Sequence, residues 1–434
     1  MTIGHLARVE GHGGITIHIS GGKVEKVDMD IYEGSRLYEA LLVGRTFNEV
    51  APITARVCGI CSAGHALCAT KAVEDAFGIE VPERAEIFRK ILIHGENIES
   101  HSLHVFFLAL PDFFGAKSVF ELIPVKPALA QAGLSLKKLG NKIQHLIGGR
   151  PVHPVNLKPG GLFSYPSEKD LMELLRDVEK EIEKLHPVVE EFQKLEVPEY
   201  IRRETTYVAL SSDREEYDYT GDYIKTTRGE KLPIRDFRKI CNERVVRHST
   251  AKQSLYSGEP FMVGALARII LNGEKLEGAA KEVRDALLSG DIDGNPIYNN
   301  FAQLVELVHS LEEVKKLVET SLDMHDGNVE SVSFEPFESE GLGALEVPRG
   351  TLYHFYRFDK SGKVVDAEII TPTAQNLANI EFDLTACAEK APLKDRLEVV
   401  RRLEMVARAY DPCISCSVHI VEAKETLTES PEKS

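Results

Sequence analysis

Apolar and polar positions alternate near the start of the chain. Over Gly14–Ser20 (GITIHIS) apolar residues fall at every second position, and after Gly21-Gly22 the alternation resumes over Val24–Ile31. A period of two marks strands with one buried face, so this stretch predicts a hairpin. The period then lengthens. A short helical run follows RVCGIC (Arg56–Cys61) to about Ala76. Within Glu83–Leu110, Ile87, Ile91, Ile98, Val105 and Leu108 return to roughly one face, with His94, His101 and His104 on or beside it. This predicts a long buried helix that Pro111 should end. A second helix should start at the Ser167 cap, with Leu171, Leu174, Leu175, Val178, Ile182 and Leu185 as its apolar stripe. Its other face is Glu and Lys and reads as solvated. A third should run from about Asn299 to Leu322. Residues 200–265 show no clear period. Leu352–Phe358 and Val364–Ile370 flank the turn Asp359-Lys360-Ser361-Gly362 and predict another hairpin. Two more helices fill Ala374–Tyr410, broken near Pro392, and Asp411-Pro412 stops the last.

The pattern gives a mainly α (α+β) fold, with a long-helix core and small β pieces at the N-terminus and near residues 330–370. The expected organisation is one domain over 1–419: a β piece at 1–36, a helical body at 45–330, and a C-terminal hairpin with helices at 331–419. The polar stretch 420–434 has no packing pattern. At 434 residues and 43% hydrophobic, the chain can bury a sizeable core. Its net charge of −16 argues against nucleic acid or an anionic membrane surface as the main partner. No apolar run reaches the ~18 residues of a membrane-spanning helix. The first residues carry no secretory pattern, so the expectation is a cytoplasmic enzyme.

Seven cysteines are few, but four form two CxxC pairs, Cys58/Cys61 and Cys413/Cys416, whose first members lie 355 residues apart. The first pair is followed by His65 and the second by His419. Two intervening residues let two thiolates reach one ion, and four thiolates suit zinc, nickel or iron. A structural zinc site normally holds its pairs within one knuckle, roughly 15–20 residues apart, although a zinc staple joining both chain ends stays open. A thiol–disulfide role is a further reading, without the βαβ pattern that usually surrounds one. Cys68, Cys241 and Cys387 read as buried free thiols.

RVCGIC with His65, and DPCISC with His419, resemble the paired signatures of the large, catalytic subunit of nickel–iron hydrogenases. Other segments carry the same resemblance in order: Arg8-Val9-Glu10-Gly11-His12; Gly34–Gly44 with Glu39; Ser100-His101 through Asp112; Gly148-Gly149-Arg150 with His153-Pro154, leading to Gly160-Gly161; Pro348-Arg349-Gly350; and Thr371-Pro372-Thr373. They span residues 8–419.

The resemblance implies reversible, heterolytic cleavage of dihydrogen by a cytoplasmic, multi-subunit enzyme. Cys58 and Cys413 would be terminal thiolates on nickel. Cys61 and Cys416 would bridge nickel to an iron carrying carbonyl and two cyanide ligands. Cys413 could take the proton first and Glu10 relay it. Arg349, beside Pro348, would lie over the diatomic ligands, Thr373 would donate to a cyanide, and Asp411 would fix Arg349 or the DPC turn. His65 and His104 would orient the site. Glu39, His419 and the Ile369 carbonyl would hold a second metal, magnesium or iron. Ser100 stands where many members carry an aspartate, so the carboxylate partner of the active-site arginine is missing there. A maturation endopeptidase would remove Ile420–Ser434.

Three isolated cysteines cannot hold a [4Fe–4S] cluster in the Cys₄ manner, so an iron–sulfur small subunit is implied, with further flavin or iron–sulfur electron-transfer subunits. No GxGxxG or GxxxxGK[ST] segment sits in a strand–helix context, which places any nucleotide site on another chain. The acceptor would be NAD(P), a deazaflavin coenzyme, ferredoxin, or a heterodisulfide or sulfur species. Two alternatives remain: a non-catalytic relative in the quinone module of respiratory complex I, which typically lacks the paired cysteines, and a zinc-stapled scaffold.

Overall fold

The computed structural model describes residues 1–34, 37–324 and 332–418. The N-terminal alternation folds as expected. Strands Gly13–Ser20 and Lys23–Ile31 pair antiparallel, and the short strand Thr2–Ile3 adds to the other side. The free edge of Lys23–Ile31 is covered by helix Pro372–Glu389. Thr385 Oγ1 accepts from Val27 N at 2.9 Å and Glu381 Oε1 accepts from Met29 N at 3.0 Å. Open strand edges invite mispairing, and here two helix side chains take up the exposed donors.

The core is a set of long helices: Ser62–Phe77, Glu83–Ser102, Pro127–Gly148, Glu168–Ile182 and Asn299–Asp323. Ser167 caps its helix as the sequence indicates, with Asp170 returning the bond to complete a capping box. Helix Pro127–Gly148 was not expected. Proline at its first position and a left-handed Gly149 at its end are nonetheless the usual start and stop signals. Pro111 does not end the helix before it. Glu83–Ser102 runs on through a π-helical turn, Leu103–Ala109, into Leu110–Phe113. The shift in register puts Pro111 in a first turn, where a missing N–H is tolerated.

Two β regions also differ from expectation. The C-terminal hairpin is the outer part of a three-stranded antiparallel sheet, Ser339–Val347, Gly350–Phe358 and Val364–Ile370. The stretch without a period holds a four-stranded sheet ordered Phe261–Met262, Thr206–Ser211, Tyr223–Thr226 and Lys231–Pro233. Among the described residues, no helix is long and apolar enough to cross a membrane.

Strand Ser339–Val347 lies flat against helix Ser62–Phe77. A Cβ at Gly343 would stand 2.0 Å from the Cys68 carbonyl oxygen, and one at Gly341 the same distance from that of Ala72. Both partners are backbone, so neither can turn aside. Gly343→Ala is therefore expected to force helix and sheet apart and cost about 1–3 kcal/mol, read as a lower urea midpoint.

Candidate metal centre

The four paired cysteines meet in one buried cluster, with their sulfurs within 4.8 Å of one another. Cys58 and Cys61 sit on the turn that opens helix Ser62–Phe77, where Cys61 is the N-cap. Cys413 and Cys416 follow the end of helix Arg396–Ala409. Cys58 Sγ lies 3.3 Å from Cys413 Sγ. Cys413 Sγ and Cys416 Sγ lie side by side in the same small space. Cys61 donating to Cys58 lowers the Cys58 thiol, while that bond together with burial pushes Cys61 well up. Four soft, buried donors drawn from sequence-distant turns fit nickel and iron.

The N-terminus closes over the second pair. Ile414 N donates to the Glu10 carbonyl at 2.9 Å, and Glu10 and Cys413 form a parallel β-bridge. The half-buried Glu10 carboxylate accepts from Ser415 N at 3.1 Å and from Ser415 Oγ, and its Oε2 lies 3.2 Å from Cys413 Sγ. Gly11 permits this approach. It has φ +89°, and a Cβ there would meet the Ile414 Cβ at 2.7 Å.

Asp112 clamps both chain ends. Arg408 donates to its two oxygens at 2.8 Å each, and Arg8 donates to it as well. Arg408 Nη1 also reaches the Ala7 carbonyl at 2.9 Å. The segments carrying Glu10 and Cys413 are thus tied to one buried carboxylate, with a paired fork geometry that favours arginine.

Arg349 is buried above the cluster. Its Nη1 lies 2.9 Å from Cys61 Sγ, its Nη2 donates to Asp411 Oδ1 at 2.9 Å, and its Nε donates to the Asp411 carbonyl at 2.7 Å. Burial opposes its charge, but Asp411 and the nearby sulfurs raise its pKa well above the usual arginine value. Ser100 Oγ sits 3.5 Å from Nη1, and Asp411 supplies the carboxylate that Ser100 cannot. The chain of contacts continues. Gln303 Nε2 donates to Asp411 Oδ2 at 3.1 Å, His104 Nδ1 lies 2.5 Å from Gln303 Oε1, and His104 Nε2 lies 2.7 Å from the Arg408 carbonyl. Behind Arg349, buried Arg268 holds the Val347 and Pro348 carbonyls at 3.0 and 3.1 Å. It is itself held by Glu306 and Glu346. Burial favours a neutral Glu306, but Arg268 and His101 keep its pKa well below the carboxylate range.

Thr373 Oγ1 accepts from Cys413 N at 3.0 Å, which leaves its hydrogen free to donate. His65 Nδ1 lies 3.1 Å from His354 Nε2. Glu39 Oε1 accepts from Ile369 N at 2.8 Å. Burial raises the Glu39 pKa, while Lys252 pulls it down. His419 and Ile420–Ser434 lie outside the described residues.

The chain matches the family model described as nickel-dependent hydrogenase over residues 36–146 and 189–419. It therefore belongs to the nickel-dependent hydrogenase family, whose members are oxidoreductases acting through a nickel–iron centre. It is 40% identical to the alpha subunit of sulfhydrogenase 2 from Pyrococcus furiosus, covering 96% of this chain and 98% of that protein. It is 33% identical to the corresponding subunit of the vhu F420-non-reducing hydrogenase from Methanocaldococcus jannaschii, over 88% of this chain and 97% of the other. A crystal structure of an NAD+-reducing [NiFe]-hydrogenase in the H2-reduced state superposes with a TM-score of 0.86 at 26% identity, covering 96% of this chain and 99% of that one. The chain is a large, catalytic hydrogenase subunit by this likeness.

One carboxylate at the site was missed from sequence. Glu96 is fully buried, and its Oε1 accepts from Ala63 N at 2.8 Å and Gly64 N at 3.0 Å, the first amides of the helix after Cys61. Its position on the same helix as Ser100, one turn earlier, was the available signal. Burial pushes its pKa up to about 8, against the pull of the Gly64 amide. A folded pKa raised above the ordinary ~4.3 means the native state binds the extra proton between those values. Stability should thus fall as pH rises from ~4.3 through 8. Glu96→Gln, which cannot ionise, should remove that part of the slope in thermal melts recorded across the range.

Proposed function

We propose that the site splits dihydrogen at a nickel–iron centre that the four paired cysteines would hold, Cys58 and Cys413 serving nickel and Cys61 and Cys416 serving both metals. The observation that carries this reading is the convergence of four buried sulfurs with Glu10 at 3.2 Å from Cys413 on one side and Arg349 at 2.9 Å from Cys61 on the other. When bound, the nickel–iron centre supplies an electron-rich open position at which the H–H bond is polarised. Cys413 Sγ takes the proton and Glu10 Oε2 relays it outward. Ser415 holds that carboxylate in place through its amide and hydroxyl.

Arg349 would donate to the diatomic ligands on iron, a carbonyl and two cyanides, and its guanidinium would set a positive charge beside them. Thr373 donates to a cyanide from the hydroxyl that already braces Cys413. Pro348 presents Arg349, and Asp411 fixes its guanidinium plane. His65 and His104 keep the surrounding helices in register. Glu39, the Ile369 carbonyl and His419 would hold magnesium or a second iron. A buried carboxylate with a raised pKa gains most from a cation beside it.

Electrons leave to an iron–sulfur small subunit, then through flavin or iron–sulfur subunits to a soluble acceptor. The beta subunit of the NAD-reducing hydrogenase HoxS from Cupriavidus necator, 26% identical over 96% of this chain, supports an assembly of this kind. The complex is cytoplasmic, and a maturation endopeptidase removes Ile420–Ser434. All four paired cysteines are retained, which favours catalysis over the role of a quinone-module relative.

Cys413→Ser should abolish hydrogen uptake and hydrogen–deuterium exchange, and normal exchange in that variant would refute the ligand set. Glu10→Gln should slow exchange at least ~10²-fold while nickel and iron stay near one each by elemental analysis. Loss of the metals would instead make Glu10 structural.

A further inference from the structure

Besides the thiolate cluster, one other group of metal-type donors converges among the described residues. Asp28 on strand Lys23–Ile31, His248 in the loop before strand Gln253–Leu255, and Glu381 on helix Pro372–Glu389 bring ligand atoms within 4.8 Å of one another. His18, on the neighbouring strand, places Nε2 2.7 Å from Asp28 Oδ2, and His248 Nε2 lies 2.6 Å from Glu381 Oε1. Two imidazoles and two carboxylates thus face each other in pairs. We propose that His18, Asp28, His248 and Glu381 form a zinc(II) site that pins the N-terminal hairpin to helix Pro372–Glu389.

The donor set suits the ion. Zinc takes imidazole nitrogen and carboxylate oxygen at about 2.0–2.2 Å, which sets neighbouring ligand atoms ~3.4 Å apart in a tetrahedron. Side-chain rotation would open the His18–Asp28 and His248–Glu381 pairs from 2.7 and 2.6 Å, draw the wider spacings among Asp28, His248 and Glu381 in from at most 4.8 Å, and bring His18 in from beside Asp28. The backbone is already arranged for it. Glu381 is drawn to the strand by the Met29 amide, and Thr385, one helical turn on, takes the Val27 amide. Both ring Nε2 atoms point into the cluster, as ligation through Nε2 requires.

A second observation points to a cation. Lys26 Nζ spans both oxygens of Asp28, at 3.0 and 2.9 Å. Its side chain is 57% exposed, whereas Asp28 is buried. The ammonium therefore fills the role of a positive charge over a buried carboxylate from a position that it can leave freely for water. Zinc entry displaces Lys26, and the Nε2 hydrogen that each ring now directs at a carboxylate passes to Nδ1 or to solvent, which frees the Nε2 lone pair for the ion.

The test uses the assembled holoenzyme, dialysed against EDTA, checked for retained nickel and iron, and titrated with zinc chloride by calorimetry at pH 7.5. The expected result is one saturable zinc per catalytic chain. Asp28→Asn and His248→Ala should each weaken it at least ~10-fold without changing nickel and iron content. Lys26→Ala, an exposed change that leaves the fold intact, should tighten it. No saturable zinc in the wild type, or equal zinc binding by the wild type, Asp28→Asn and His248→Ala, would overturn the site. Hydrogen uptake is not the readout, so failure here leaves the nickel–iron reading untouched.

Discussion

Four sulfur atoms from opposite ends of the chain must occupy one small, dry volume, and most of the structure follows from that requirement. Thiolates crowded together repel one another, and burial raises the cost of their charge. The site answers with positive charge and with rigidity. Arg349 lies against Cys61, and Asp411 keeps it charged and oriented. Arg268 fixes the two carbonyls just before Arg349 and is neutralised by Glu306 and Glu346. A buried ion pair adds little net stability in itself, but breaking one leaves an uncompensated charge at considerable cost. Such a network specifies geometry more than it strengthens the fold.

The ends are fastened at separate points. Asp112 binds Arg8 and Arg408, which flank the Glu10 segment and the second cysteine pair. The short β-bridge between Glu10 and Cys413 then sets the carboxylate against the sulfur. The sequence distance between these parts imposes a large loop-closure entropy, and the body of packed helices between them offsets it. The helical core serves as the frame that brings its own termini together.

Much of this was legible from the amino-acid order. The cysteine pairs, Glu10, Arg349 and Thr373 were readable because each lies in a short local motif. The strands at Gly13–Ile31 and the helix from Asn299 were readable because one period runs through each. Strand Ser339–Val347 was hidden by Gly341 and Gly343, which break the alternation where a helix backbone presses on the sheet. The four-stranded sheet was hidden by strands of two to six residues, too short to establish a period. The role of Asp411 opposite Ser100 depends on two residues brought together only by folding. Glu96 was lost for the same reason, since its partners are backbone amides of a different helix.

The π-helical turn at Leu103–Ala109 has a further effect. One extra residue in a turn rotates everything after it by roughly a quarter of the circle relative to an uninterrupted α-helix. Ser100 and His104 look toward the arginine network, and Asp112, farther along, looks toward the two chain termini. A single continuous rod thereby carries two bearings, set independently of each other. Such a rod works as a crankshaft: the offset lets one straight element hold the floor of the reactive chamber and, on a different heading, the knot that closes its lid.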